Sequence, residues 1–158
     1  MSLLGFFQWC EQSGIGDTIR RSSWLFPLIE GMHLLGLGVI GGAVLVVDLR
    51  LLGLGMRRQS TAQLAGDAQP WLLGSLLLMM VTGGLLFLSE AIKCYYHEAF
   101  WLKMASLFLA IVFTFTIQRK VIMAGETRVG PVWSKVVALV SILLWSGVGI
   151  GGRWIGFS

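Results

Sequence analysis

Apolar residues in this chain come in long runs, with neither the alternation of a half-buried strand nor the single stripe of a soluble helix. A helix needs about 20 mostly apolar residues to cross about 30 Å of hydrocarbon. Four runs approach that length, at 24–47, 70–89, 99–117 and 136–155. The polar sequence is confined to the stretches between them, 48–69, 90–98 and 118–135. These connections are short, so sequential helices are expected to pack antiparallel as one up-down bundle. The expected fold is an all-α membrane protein forming a single integral membrane domain over 1–158.

The first 21 residues differ from the runs. Leu3, Phe6, Phe7 and Cys10 recur at helical spacing with Trp9 beside them, while Gln8, Glu11 and Gln12 break the apolar character. That pattern predicts a short helix lying in the membrane interface. It lacks the basic start and uninterrupted apolar core of a cleavable signal peptide.

Composition agrees with the pattern. Of 158 residues, 56% are hydrophobic and only 13% charged, and the mean hydropathy is +0.79. Soluble domains carry about 25% charged residues, so a bilayer is the expected main solvent, and intrinsic disorder is excluded. The net charge of +4 is spread thinly between apolar runs, which reads as membrane-edge charge and not as a nucleic-acid surface. Arg50, Arg57, Arg58, Arg119, Lys120, Arg128 and Lys135 lie in the first and third connections. Arg20, Arg21, Lys93, Lys103 and Arg153 lie toward the other side. The bias places Arg57 and Arg58 in the cytoplasm and both termini in the periplasm of a bacterial inner membrane. With both ends oxidised, a bond between Cys10 and Cys94 is permitted.

Ionisable groups inside spans are costly and tend to face a bundle interior or cavity. Glu30 and His33 sit early in the first run, Glu90 closes the second, Lys103 lies one turn into the third and Arg153 ends the fourth. In an up-down bundle these meet at one membrane face, together with His97. Glu30 and His33 share a helix face, and Lys103, Ser106, Ala110 and Thr114 make a polar and small stripe. The opposite half of the spans is nearly free of ionisable groups, which argues against a transporter.

Gly36–Gly41 and Gly147–Gly152 each fit G-x-G-x-x-G, but neither follows a strand, so no dinucleotide site is expected. Gly38 with Gly42 and Gly147 with Gly151 read instead as small pairs that let helices approach closely. Gly36, one turn from His33, is expected to leave open surface beside the imidazole for a flat macrocycle.

His33 is the candidate axial ligand of a b-type haem, with Glu30 as the acceptor that orients its ring. His97 is the candidate second axial ligand, and Lys103 and Arg153 are candidates to neutralise haem propionates. The two histidines with Cys94 lack the clustered spacing of a copper or zinc site. A quinone is an alternative occupant of the same pocket.

The run Trp24–Gly36 (WLFPLIEGMHLLG), then Val47–Leu54 (VDLRLLGL), Ser89-Glu90-Ala91 with Lys93-Cys94-Tyr95, and Ala99-Phe100 with Lys103-Met104 resemble a family of uncharacterised bacterial four-helix inner-membrane proteins. More distantly, His33, Gly36, Arg50 with Leu51, and Trp101 with Lys103 are similar to haem-dependent membrane protoporphyrinogen oxidases and copper-resistance D type membrane proteins. The oxidase motif has a histidine where this chain has Leu102. That resemblance implies haem binding without the oxidase activity itself. The expected function is a membrane redox subunit holding one haem and exchanging electrons with quinone or with a periplasmic or membrane redox partner. The alternative is a non-catalytic membrane anchor or assembly subunit.

Overall fold

The computed structural model describes residues 2–55 and 58–155, and among these every regular element is a helix. Arg57, one of the charges used for sidedness, lies outside the described residues. Two short helices, α1 (Leu3–Glu11) and α2 (Gly14–Arg21), stand where one was expected. Ser13 divides them, its Oγ accepting from the Gly16 amide and starting a new helix. The long helices are α3 (Leu25–Leu52), α4 (Thr61–Ser89) and α9 (Pro131–Ile155). A fourth, continuous over Glu98–Ala124, is made of α6 (Glu98–Phe113), a π turn (Thr114–Gln118) and α7 (Arg119–Ala124). Small helices α5 (Ala91–Tyr96) and α8 (Glu126–Val129) fill two of the connections. Four helices are thus long and apolar enough to cross a membrane, as in a multi-pass membrane protein in a lipid environment.

These helices overrun the apolar runs. The first continues to Leu52, where Gly53 takes a left-handed conformation (φ 81°) and closes the C-terminus. The second begins at Thr61, nine residues before Pro70, because Ser60 caps the Gln63 amide and Ala62, Ala65 and Ala68 favour helix. Pro70 is accommodated inside α4. Asp48 and Gln118, expected in connections, therefore belong to helices.

Helix α4 packs on α3, α6 packs on α9, and α3 joins the pairs through α9. Residue 33 of α3 meets residues 82 and 103, whereas residue 48 meets residue 118. Ile40, Val44, Leu72, Met79, Ala110, Trp145 and Val148 form the central core. The stripe of Lys103, Ser106, Ala110 and Thr114 is the seam with α9. A Cβ on Gly151 would meet Lys103 Cβ at 3.2 Å, and one on Gly147 would meet Ser106 Oγ at 2.9 Å. Thr114 Oγ1 accepts from Trp145 Nε1 at 3.2 Å. Gly38 and Gly42 have open space beside them, so their expected role in close packing fails.

Arg20 anchors the N-terminal helices. It donates to the Ser89 and Glu11 carbonyls, at 3.0 and 3.1 Å, and lies 3.4 Å from the Glu11 carboxylate. Glu11 in turn accepts from the Ile92 amide at 2.6 Å. Phe7 and Cys10 are buried against Ala91 and Cys94, with both cysteines as free thiols. Burial, followed by the Glu90 carboxylate, pushes the Cys94 thiol up to about 11. It stays protonated and unreactive at neutral pH.

Candidate functional site

His33, 9% exposed, projects from α3 between α4 and α6. Its Nδ1 lies 2.9 Å from Thr82 Oγ1, and Thr82 Oγ1 lies 2.7 Å from the Leu78 carbonyl. The threonine hydroxyl has one hydrogen, which the carbonyl claims, so Oγ1 must accept from His33. The imidazole therefore carries its proton on Nδ1 and presents a bare Nε2. Lys103 Nζ reaches that nitrogen at 3.5 Å. Gly83 lets α4 come this close, since a Cβ there would stand 3.1 Å from His33 Cε1. Lys103 lays its stem along α9, within 3.4–3.8 Å of a Cβ placed on Gly152.

His33 and Lys103 are the polar end of a cavity of about 490 Å³. Its walls include Phe87 and Met80 from α4 and Phe100 and Met104 from α6, and Phe6 and Phe7 of α1 close one end. The volume falls in the range of ordinary small-molecule sites. Because α4 packs on α3 and α6 on α9, the space between α4 and α6 is left to the cavity. No carboxylate pairs with Lys103 among the described residues. A cation thus ends an apolar chamber, facing the position where the polar head of an amphipathic ligand would sit.

The other expected site residues divide. Glu30 is half-buried on α3, but the ring nitrogens of His33 go to Thr82 and Lys103 and not to it. Thr82 takes the orienting role foreseen for Glu30, a hydroxyl being able to accept once its own proton is committed to a carbonyl. Gly36 is buried, but a Cβ there would meet Met79 Cγ at 3.1 Å and Leu78 at 3.4 Å. The surface expected to be open for a macrocycle is filled by α4. His97 caps α6, its Nδ1 accepting from the Ala99 amide at 3.3 Å, and lines a separate cleft with Tyr96 and Trp154. Arg153 is exposed beside Gly149 and Trp154. The structure therefore brings together His33 and Lys103 and leaves His97 and Arg153 outside their cavity. Among the described residues no three His, Cys, Asp or Glu side chains gather as a metal site.

A second polar centre lies toward the other end of the helices. Asp48 and Ser141 are fully buried and Gln118 is 2% exposed. Gln118 Nε2 donates to Asp48 Oδ1 at 2.7 Å, and Ser141 stands beside the same carboxylate. Asp48 Oδ2, Gln118 Oε1 and Ser141 Oγ have no hydrogen-bond partner. The premise that this half is nearly free of ionisable groups fails at Asp48. Its signal was helical spacing, since Val44, Asp48 and Leu51 continue one face of α3.

Residues 6–158 match the model of a family of unknown function, DUF6644. No curated protein and no solved structure matches the chain. The likeness to haem oxidases and copper-resistance proteins rests on the sequence motifs alone.

Proposed function

We propose that this chain, which belongs to the DUF6644 family of unknown function, is a membrane redox subunit that takes a quinone into the cavity between α4 and α6. The observation that carries this reading is the Lys103 ammonium, without a carboxylate partner among the described residues, at the end of an apolar chamber and resting on the bare nitrogen of His33. A quinone carbonyl oxygen accepts from Lys103 Nζ, the aromatic and methionine walls take the ring, and the isoprenoid tail leaves between α4 and α6. Reduction to the quinol adds two electrons and two protons. The electrons come from a redox partner protein and the two protons from bulk water, one of them passed through Lys103 to the carbonyl oxygen as charge builds there.

A second reading, one b-type haem, is favoured by the Thr82 contact, which holds His33 in the tautomer an axial ligand needs. His33 Nε2 would bind the iron, and Met80 and Met104 line the same cavity. The haem would supply one-electron transfer. Lys103 must then leave Nε2, where its charge would pair with a propionate.

The order of the contacts supports an up-down bundle, with 1–21 at the interface. The connection charges support an inner-membrane protein with periplasmic termini and the His33–Lys103 end at the outer face. The test is a titration of the reconstituted protein with a short-chain quinone, read by tryptophan fluorescence, beside oxidised and reduced absorption spectra of protein expressed with ample haem. Saturable quenching lost in Lys103→Met, with no Soret band, is the expected result. A Soret band lost in His33→Ala would assign haem instead. Neither signal would leave the anchor-subunit role.

A further inference from the structure

The Asp48 centre lies apart from the quinone cavity and has a chemistry of its own. Its three unpartnered atoms are all oxygens, and they come from three helical segments: Asp48 from α3, Gln118 from the π turn and Ser141 from α9. All three residues are at least 98% buried. Gln118 Nε2 donates to Oδ1 and the Ser141 hydroxyl has one hydrogen of its own to give, while Gln118 Oε1 can only accept and has no partner. No ion pair forms to Asp48 among the described residues. A buried charge is ordinarily paired with a cation or coordinates one.

We propose that Asp48, Gln118 and Ser141 form a binding site for one sodium ion. Oxygen donors select a hard cation, and a single carboxylate balances one positive charge, whereas calcium sites recruit several carboxylates. A proton on Oδ2, together with the Ser141 hydroxyl, is the competing way to satisfy the three oxygens, and it leaves the aspartate neutral. Sodium meets all three, with water completing its shell.

The backbone and the surrounding space agree with this. The π turn ends at Gln118, and a π turn inside a long helix frequently marks a functional position. A cleft of about 250 Å³, lined by Gln69, Thr114, Gln118 and the exposed Arg119, opens beside the amide.

The test uses the full chain reconstituted in nanodiscs and equilibrium binding of radioactive sodium, with choline chloride holding ionic strength constant. Saturable binding near one ion per chain is expected, together with a thermal midpoint that rises with sodium and less with potassium. Asp48→Asn, which keeps the shape and removes the charge, should abolish both. Ser141→Ala, which removes one ligand and leaves the carboxylate, should weaken sodium binding by roughly tenfold or more. It serves as the deciding variant should Asp48→Asn not fold. Binding no greater than that of Asp48→Asn, sodium affinity unchanged in Ser141→Ala, or equal midpoints in sodium and choline would each overturn the site. A midpoint that follows pH and ignores sodium would overturn it in favour of a protonated Asp48.

Discussion

The two buried polar centres are solved in opposite ways. At His33 each ring nitrogen has a partner, the Thr82 hydroxyl both donates and accepts, and the excess is a cation, Lys103, facing a roomy apolar chamber. At Asp48 the excess is a carboxylate, three oxygens lack partners, and the walls close tightly on them. Desolvated charge is costly in both places, so each centre calls for a ligand of the opposite sign or polarity. The chamber's size suits a molecule, whereas the closure around Asp48 suits an ion.

The largest expected effect breaks the tighter centre. Gln118→Ala removes the amide donor to Asp48 and should lower stability by about 3 kcal/mol, the cost of stranding a buried charge, seen as a fall in the thermal midpoint. Ligand binding at His33 should survive in whatever fraction remains folded. The chamber is broken differently, by filling it. Gly84 lines the cavity and has nothing within 4 Å of its Cβ position, so Gly84→Leu should cut quinone affinity at least tenfold with little change in midpoint. Loss of folding there would mean that the space is not a true void.

Smaller changes sharpen the contrast. Thr82→Val removes the acceptor of the His33 Nδ1 proton and should cost about 1–3 kcal/mol. Nitrogen NMR of the imidazole should then report a mixed tautomer in place of one. His97→Ala should cost about 1 kcal/mol through the lost α6 cap and leave quinone binding unchanged. An effect of His97→Ala on ligand affinity equal to that of Lys103→Met would contradict the separation of their two clefts.

How much of this was legible in the sequence depended on where the helix ends fell. The four spans and the convergence of His33 and Lys103 on one end could be reached from apolar runs and an antiparallel order, because both residues lie inside their runs, whereas their direct contact could not. Asp48 could not, because its charge and Arg50 make the run look finished at Val47. The helix in fact continues until Gly53 turns it off. Gln118 was hidden similarly, by Arg119 and Lys120 following it. Spacing alone also misassigned the partner of His33. Glu30 is its neighbour three residues away, but Thr82 arrives from another helix and takes the ring nitrogen. Gly36 shows the same limit, since a missing side chain marks either a void or a close approach, and here Met79 fills the space.

Photoaffinity labelling with an azido-quinone in nanodiscs, followed by peptide mapping, tests the central claim most directly. The account predicts adducts on the chamber walls, at Met80, Phe87, Phe100 or Met104, competed by unlabelled quinone and lost in Gly84→Leu. Adducts confined to other helix faces, or undiminished by competitor, would contradict it.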